Sequence, residues 1–389
     1  MKIFKLSLAL LVFIFLSCSQ KSSDKIITVK NTLDIERVNE TVALSKDLLK
    51  LEDLSNLGIR DTESNTLQIT QLVDNDGDGV MDALLFQPKV GANSEKSYAI
   101  TKITPEENPE ALAYCYSRFV PERTDDYTWE NNKIAFRVYG PVAQKMAEDK
   151  IKGGTLSSGV DAWLKRVEYP VINKWYKKYT DGTGSYHEDT GEGLDNFHVG
   201  ISRGVGGIAV KKDSTYHYSK NYIKWRTITT GPIRTSFYLE YENWDAGGNL
   251  ITENKVISLD YGSNMSKFTT HITGTNTIAV GLTLHEKDGE VIGNTEHGWV
   301  SYWQPHADSE LGTAIVAPKA NFKGFETYNT EAKDESNAYA NLNVMDNTIV
   351  YYAGFGWKKS GQFKSKQDWE NYLNIFSKKI SAPLEVKIK

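Results

Sequence analysis

Cysteine is scarce in this chain: only Cys18 and Cys115 occur among its 389 residues. Cys18 belongs to the N-terminal segment described below, which leaves Cys115 without a partner for an intramolecular disulfide or a cysteine-based zinc site. Cys115 lies in the apolar stretch ALAYCYSRFV. This setting predicts a buried, unreactive thiol rather than a nucleophile.

Blocks of basic residues are also missing, and 45 Lys and Arg face 50 Asp and Glu, a formal net charge of −5. A nucleic-acid partner is therefore not expected. An anionic substrate would need a local basic pocket. The 9 Trp and 21 Tyr suit either a carbohydrate site, where sugars stack on flat rings, or ordinary β-sheet packing.

Long apolar runs are limited to the N-terminus, where two lysines precede the run 6–16. That run is too short for a stable membrane span and is typical of an export signal. A small residue followed by Cys18 resembles a bacterial lipobox. We therefore predict a signal peptide over 1–17, a lipidated Cys18 and a tether over 18–25 that anchors the protein to the outer membrane, on its periplasmic face or at the cell surface. The alternative is a plain secretory signal with a chance cysteine.

The rest of the chain is dominated by short segments of β-type pattern, separated by turns. Many strands without interleaved helices favour an antiparallel sandwich over a parallel α/β sheet. We predict a mainly β fold: one large antiparallel β-sandwich (supersandwich-like) over 26–389, with a few short helices. The strongest strand patterns lie at 26–44, 66–74, 83–89, 96–103, 134–140, 206–212, 235–244, 250–262, 267–273, 278–286, 299–305, 312–318 and 348–357.

Two segments have helical spacing. Apolar residues at i, i+3, i+4 and i+7, beginning at Val160, predict an amphipathic helix over 158–168. A second helix is predicted over 365–379, with Ser365 as its N-cap.

An acidic turn has the alternating oxygen ligands and the glycine of a calcium-binding loop. The carboxylates are those of Asp74, Asp76, Asp78 and Asp82. The twelfth position is Leu85 rather than the bidentate glutamate of an EF-hand, and the flanking segments are strands. Structural calcium and a bare β-hairpin turn are therefore both open.

The segment GSYHEDTGEGLDNFHVGISRGVGG, residues 184–207, is the main candidate for chemistry. It is too polar for a core strand, and its glycines indicate a loop with unusual dihedrals. Tyr186, His187 and His198 can move protons, and Arg203 can hold a carboxylate through its planar fork. Alternatively, His198 is a core histidine without a catalytic role, and Arg203 forms a salt bridge to Asp195 or Glu192.

A second candidate region is the strand pattern of 296–306. Alternation places His297, Trp299 and Trp303 on one face, and Tyr302 and Gln304 on the other. One face would line a sugar cleft; the alternative is a sheet edge with packed aromatics.

A third set comprises Arg137 and Tyr139, which alternate with apolar neighbours and so share a polar face. Trp163 and Arg166, on the predicted helix over 158–168, join them as expected substrate contacts. On the same helix, Lys165 is expected to pair with Asp161 at i,i+4.

Four stretches of the chain resemble a family of Bacteroidota lipoproteins from polysaccharide-utilisation loci, defined by a domain of unknown function. They are VDNDGDGVMDALLFQ, FRVYGP, SSGVDAWLKRVEYPVINKWY and YHEDTGEGLDNFHVGISRGVGG. The family includes an oligosaccharide dehydratase of ulvan degradation. The resemblance implies a carbon–oxygen lyase that removes water across C4–C5 of the non-reducing-end uronic acid of a sulfated oligosaccharide. The product carries a 4,5-unsaturated uronyl end, and no cofactor is required.

Residue chemistry, not the resemblance, suggests the roles. We predict His198 as the base for the C5 proton and Tyr186 as the acid for the C4 hydroxyl. Arg203, helped by Arg137, would neutralise the substrate carboxylate. Two further residues are alternatives for either proton transfer: His297 and Tyr302. The expected substrate-binding residues are Arg137, Tyr139, Trp163, Arg166, His187, Trp299, Trp303 and Gln304.

Two other functions fit the same residues. A polysaccharide lyase would use nearly the same groups, but its leaving group is a sugar. A non-catalytic glycan-binding surface lipoprotein would use only the aromatics.

Overall fold

Antiparallel strand ladders are the main regular structure of the computed structural model, which describes residues 25–388. This confirms the predicted mainly β, antiparallel class. The predictions of a signal peptide over 1–17 and of a lipidated Cys18 lie outside the described residues. No helix among residues 25–388 has the length and apolar character needed to cross a bilayer.

Strands and helices are numbered in chain order. The strands are β1 (Lys25–Lys30), β2 (Val42–Ser45), β3 (Leu57–Asp61), β4 (Thr70–Val73), β5 (Ala83–Phe86), β6 (Glu95–Lys102), β7 (Tyr116–Val120), β8 (Asp126–Glu130), β9 (Ala135–Val138), β10 (Asp161–Lys165), β11 (Gly193–Leu194), β12 (Val205–Lys212), β13 (Thr215–His217), β14 (Tyr222–Thr229), β15 (Arg234–Tyr241), β16 (Trp244–Asp245), β17 (Leu250–Asp260), β18 (Met265–Thr273), β19 (Thr277–Thr283), β20 (Glu290–Asn294), β21 (Trp299–His306), β22 (Ser309–Val316), β23 (Phe322–Tyr328), β24 (Asn337–Asn343), β25 (Thr348–Trp357) and β26 (Glu385–Ile388). The α-helices are α1 (Lys46–Leu49), α2 (Pro141–Glu148), α3 (Ile172–Thr180) and α4 (Lys366–Ser381). Short 3-10 helices cover Pro105–Glu107, Pro121–Arg123 and Lys358–Ser360.

The N-terminal part contains two small sheets. One has the order β26-β1-β6-β3, so the last strand of the chain completes it, and the other has the order β2-β5-β4. Their apolar faces form one cluster, to which inward side chains of both sheets contribute. It includes Ile27, Leu44, Ile59, Phe86 and Ile100.

Two larger sheets form the main sandwich. One runs β14-β15-β17-β18-β25-β22-β21-β20, with β16 added to β17, and the other runs β13-β12-β19-β24-β23. Side chains from both sheets share the main core, which includes Ile208, Phe237, Phe268, Val280 and Tyr351. Phe268 stacks on Tyr351 with ring centroids 4.9 Å apart.

A third sheet, in the order β11-β10-β9-β8-β7, carries the polar segment predicted as a loop. Within that segment, β11 pairs with β10. Farther on, Gly204 makes a parallel bridge with Val160. Gly204 has φ 59°, and a Cβ there would lie 2.0 Å from the Val160 carbonyl oxygen, so only glycine allows this approach. The loop is thus attached to the body of the protein near its middle and near its C-terminal end.

The helix predicted over 158–168 is wrong. Residues 161–165 are strand β10, and all five are buried. Trp163 packs beneath α3, whereas Ala162 and Leu164 enter the main core, so the strand is covered on both faces. A doubly covered strand has no polar alternation, which is why its apolar spacing imitated a helix. The predicted pair of Asp161 and Lys165 does not form either.

The C-terminal helix agrees with its prediction. Helix α4 begins after Ser365, whose hydroxyl oxygen accepts the backbone N–H of Asp368 at 3.2 Å. Trp369 and Leu373 are buried. Cys115 is fully buried, and burial raises the pKa of its thiol well above the ordinary value, as expected for an inert cysteine.

Candidate active site

A cavity of about 540 Å³ lies where the polar loop meets the end of β9 and the segment 154–156. His187, His198, Arg137 and Tyr139, all predicted from the sequence as site residues, line its wall. The two histidines come from the loop and the other two from the end of β9. The predicted polar face of Arg137 and Tyr139 therefore faces a pocket of a size typical for small-molecule sites.

The imidazole of His198 is exposed, whereas the backbone that carries it is fixed by its buried neighbours. Its side chain is 60% exposed, while Phe197 and Val199 on either side are buried. The ring Nε2 lies 3.0 Å from a carboxylate oxygen of Asp334. Gly200 has φ 55°, and a Cβ there would fall 2.1 Å from the same Asp334 oxygen. Glycine at this position thus permits the loop to bring the imidazole and the carboxylate together.

Two histidines that the sequence did not single out as site residues support this loop. His285 Nε2 lies 2.7 Å from the His198 carbonyl oxygen, which can only accept, so Nε2 carries the proton. His306 Nε2 lies 3.0 Å from the side-chain oxygen of Asn196. Burial lowers the pKa of both rings, that of His306 to about 4. Both are therefore neutral hydrogen-bonding supports near neutral pH.

Beneath the cavity, Arg137 contacts three carboxylates. Its Nε donates to Asp161 at 2.8 Å, one terminal nitrogen donates to Asp195 at 2.8 Å, and the other lies 3.4 Å from Asp126. Arg137 itself is only 6% exposed. Its donors are therefore used by the protein, and it supports the pocket wall more than it offers a free clamp for a substrate.

This cluster has more carboxyl groups than guanidinium groups. Burial raises the pKa of Asp126 to about 6, and burial with the nearby Asp195 charge raises that of Asp161 to about 7. Arg123 adds a second positive charge, so three carboxyls face two guanidinium groups. One bound proton makes the cluster neutral. Asp126 and Asp161 each have one buried oxygen without a hydrogen-bond partner, and the pKa of Asp161 is raised further, so we assign the proton to Asp161.

Tyr139 lies between the protonated carboxyl of Asp161 and the cavity. Its hydroxyl donates to Asp161 at 3.0 Å while its side chain lines the pocket. Burial, and then the negative charge of Asp161, raise the pKa of Tyr139 well above 10. Tyr139 is therefore protonated near neutral pH and can act as an acid.

Replacing Asp161 with asparagine should change how stability depends on pH. Because burial and Asp195 raise the folded-state pKa of Asp161 from 3.8 to about 7, the folded protein binds this proton more tightly than the unfolded chain. Wild-type stability is then lost as pH rises from about 4 to about 7. We expect urea unfolding to show a loss over this range that is smaller by a few kcal/mol in Asp161→Asn.

Asp189→Asn is the control with the opposite sign. Burial alone would raise the pKa of Asp189, but the N–H groups of Gly191 and Gly193 and the guanidinium of Arg166 lower it. Its contribution is therefore present above the unfolded pKa and is lost as pH falls. Equal pH profiles for wild type and Asp161→Asn would contradict the proton assigned to Asp161.

The prediction of Tyr186 as the acid is not supported. Tyr186 is only 2% exposed and stacks on Trp163. Its hydroxyl oxygen lies 3.1 Å from Arg123 Nε and 3.4 Å from Arg137. Tyr186 lies beside the guanidinium groups beneath the cavity instead of on the cavity wall. Tyr139 is the tyrosine that reaches the pocket.

The prediction of Arg203 as the carboxylate clamp is also wrong. Arg203 is fully buried, and its guanidinium donates to the Ser158 hydroxyl and the Ile201 carbonyl. It lies 3.7 Å from the ring centroid of Tyr218. The alternative salt bridge to Asp195 or Glu192 does not form either. Arg203 anchors the loop end, and burial lowers its pKa.

The tryptophans proposed to bind sugar are packed in the interior. Trp163 is fully buried against α3. Trp299 and Trp303 do share one face, as predicted, but that face packs against α4, where Trp299 Nε1 donates to Asn374 at 2.9 Å. The sheet-packing alternative therefore holds for this region.

The remaining predicted contacts also lie away from the cavity. His297 is in the turn before β21, and its carbonyl accepts a hydrogen bond from Ser377. Tyr302 is buried in the main core, and its hydroxyl accepts the Gly289 N–H at 3.1 Å. Gln304 is buried and contacts His285, so its role is indirect. Arg166 pairs with Asp189 at 3.1 Å.

The acidic loop between β4 and β5 forms a hairpin turn. Asp74, Asp76 and Asp78 each place one oxygen within 4.8 Å of the others, which leaves structural calcium as a prediction. Asp82 lies apart from this group and pairs with Lys46 at 3.2 Å. Asp74 accepts the N–H groups of Gly77 and Gly79, a pattern that stabilises the turn by itself.

The comparisons with known proteins agree with the fold. Residues 29–386 match the family described as a domain of unknown function (DUF4861). Uncharacterized protein P7 of Formosa agariphila is 55% identical over 381 residues, which cover 97% of this chain and 96% of P7. A solved protein of glycosyl hydrolase family 38 from Enterococcus faecalis has a TM-score of 0.53 at 10% identity. The match covers 95% of this chain but 48% of that one, so this chain spans about half its length, and the likeness shows the fold alone. The family match and the relative together show that this chain belongs to the DUF4861 family.

Proposed function

We propose that this protein is an oligosaccharide dehydratase, which removes water across C4–C5 of a uronic acid at the non-reducing end of an ulvan oligosaccharide. The observation that carries the proposal is the pairing of two groups on one cavity wall. His198 offers an exposed imidazole, and Tyr139 offers a hydroxyl that burial keeps protonated. The resemblance described above supplies the substrate class.

The reaction needs one base and one acid. His198 takes the C5 proton, the electrons of that bond form the C4=C5 double bond, and the C4–O bond breaks. Tyr139 gives its proton to the departing hydroxyl, which leaves as water, because hydroxide alone is a poor leaving group. Asp161 then returns its proton to Tyr139, to which it is hydrogen-bonded at 3.0 Å, and Asp161 regains a proton from solvent by way of Tyr139 after the product has left. The proton on His198 passes to solvent through its exposed ring.

Asp334 and the loop histidines position the base. The Asp334 contact occupies His198 Nε2, so Nδ1 is the nitrogen left for the substrate. Asp334 also stabilises the imidazolium that forms when the C5 proton is taken. The carbonyl of His198 is fixed by His285. The imidazole is therefore oriented before the substrate binds.

The substrate carboxylate lies above the buried cluster of Arg137, so the net charge of that cluster must not be negative. With one proton bound, the two guanidinium groups and three carboxyls beneath the cavity are balanced, so the wall to which Arg137 contributes carries no net negative charge. The uronate is thus bound without net repulsion, and a neutral wall opposes the enolate that forms at C5 less than a negatively charged wall would.

Incubating the protein with ulvan oligosaccharides that have saturated ends tests the proposal. We expect ultraviolet absorbance of an unsaturated uronate and, by mass spectrometry, loss of one water with chain length unchanged. His198→Ala is the matched variant and should not form this product. Shorter chains with the same absorbance would instead indicate a polysaccharide lyase, and binding without turnover would indicate a glycan-binding protein. Either outcome overturns the dehydratase.

A further inference from the structure

A second cavity, of about 600 Å³, lies at the junction of three parts of the fold. Its walls come from the segment 38–43 of the N-terminal part, from the outer face of the nine-stranded sheet and from α4 with the residues that follow it. None of the residues predicted from the sequence as site residues lines it. Its size is that of a small-molecule site.

One positive charge in this cavity is not balanced. Lys267, on β18, extends into the cavity, and no carboxylate lies within 4.0 Å of its amine among residues 25–388. The other cations of the wall are paired. Arg234 makes two hydrogen bonds to Asp260, at 2.6 and 2.7 Å, and Lys379 lies 3.2 Å from Glu40.

The surroundings of Lys267 make an anion favourable there. Burial, and then the positive charge of Arg234, lower the pKa of Lys267 by more than the negative charge of Asp260 raises it, so the charged amine is under-compensated. An anion that contacts it would restore the balance through a charge-assisted hydrogen bond. Because Lys267 is the only cation of the wall without an acidic partner in the described chain, the ligand should carry a single charge.

The remaining wall defines the rest of the ligand. Ser258 on β17 and Tyr352 on β25 lie directly opposite Lys267, so all three side chains share one face of the sheet. Tyr352 meets Phe376 edge to face, with ring centroids 5.1 Å apart. A half-buried aromatic ring beside hydroxyl groups suits a ring with an apolar face and several hydroxyls. That description fits a pyranose.

We propose that this cavity is a second binding site, which takes a singly charged saccharide, held through its sulfate ester or carboxylate by Lys267 and stacked on Tyr352. The site is separate from the cavity of His198 and does not depend on the dehydratase reaction. It would hold an acidic sugar away from the chemistry, either another part of a long chain or a free monosaccharide.

Calorimetric titration tests the site with glucose 6-sulfate, glucuronate, glucose and inorganic sulfate as probes. We expect both charged sugars to bind, and glucose and sulfate to bind at least about tenfold more weakly, because each lacks half of the contacts. Lys267→Gln should lower the affinity for the charged sugars by about ten- to a hundredfold. Comparison of the two sugars shows whether sulfate or carboxylate is preferred.

Two controls separate the outcomes. Lys323→Gln removes an exposed lysine of β23 that also has no acidic partner within 4.0 Å in the described chain, and it should leave binding unchanged. His198→Ala should also leave it unchanged, which distinguishes this site from the proposed active site. Thermal unfolding of Lys267→Gln confirms that the variant is folded. Unchanged affinity in Lys267→Gln, or inorganic sulfate binding as tightly as the sugar sulfate, overturns the proposal.

Discussion

Replacing Tyr139 with phenylalanine should lower kcat for dehydration by about two to four orders of magnitude. The change removes one hydroxyl, and with it the proton that the departing C4 oxygen needs. The ring remains, so its packing beside Arg137, with the guanidinium 5.3 Å from the ring centroid, is preserved. We therefore expect KM to change little, because an acid acts mainly in the transition state. Steady-state kinetics at the unsaturated-uronate absorbance measures both constants.

Tyr186→Phe is the matched control. Tyr186 lies in the same cluster and contacts the same Arg137, but it is buried and does not line the cavity. The variant should keep kcat within about tenfold of wild type and lose only the contacts with Arg123 and Arg137. A large loss of kcat in Tyr186→Phe, with normal turnover in Tyr139→Phe, would reverse the assignment and restore the acid first predicted from the sequence.

The position of the candidate site was predictable because its signals are local. A polar, glycine-rich segment has to be a loop, and His198 and His187 within it line the cavity. Arg137 and Tyr139 were predictable in the same way, since strand alternation places them on one face. A residue type and its immediate neighbours carry all of this information.

The errors arose where packing from distant segments decides a residue's role. Tyr186 and Tyr139 are both buried tyrosines beside charged groups, and they differ because Tyr186 packs under α3 whereas Tyr139 lines the cavity. Trp299 and Trp303 have the alternation expected of a sugar-binding face, but α4, more than 60 residues later in the chain, covers it. His285 supports His198 across 87 positions of sequence. No local pattern reports such contacts.

The clustering of three carboxyl groups around Arg137 could not be predicted from the sequence either. Asp126, Asp161 and Asp195 come from β8, β10 and the polar loop, and they meet only because β8, β9 and β10 are neighbours in one sheet. The incorrect prediction of a helix over 158–168 excluded the contact between Asp161 and Arg137, because a helix would have turned Asp161 toward Lys165. Once the segment is read as a strand, register places Asp161 opposite Arg137.

Replacing Lys165 with methionine should destabilise the protein by about 3–5 kcal/mol, the usual effect of breaking a fully buried ion pair. The Lys165 amine lies 2.7 Å from Glu130, and both side chains are fully buried. The amine also donates to the carbonyls of Asn131 and Tyr169. Methionine fills a similar volume but leaves the Glu130 charge without its partner. Urea denaturation at neutral pH measures the loss.

Glu130 explains why this loss of stability should also affect the candidate active site. Its carboxylate also accepts the N–H groups of Val171 and Ile172 at 2.9 Å, at the start of α3. The pair thus joins β8, β10 and α3, which together enclose Asp161 and Asp126. Loss of the lysine should therefore loosen the cluster beneath the cavity, with a fall in activity at temperatures where the fold is still intact.

Lys133→Met provides the comparison for a surface pair. Lys133 lies 3.0 Å from Glu168, but these side chains are 28% and 63% exposed, so the expected change is at most about 1 kcal/mol. The double variant Glu130→Gln, Lys165→Met should recover part of the loss, because no buried charge is then left unpaired. Equal effects of Lys165→Met and Lys133→Met would contradict this account, since the Lys165 pair would then be as weak as one exposed to water.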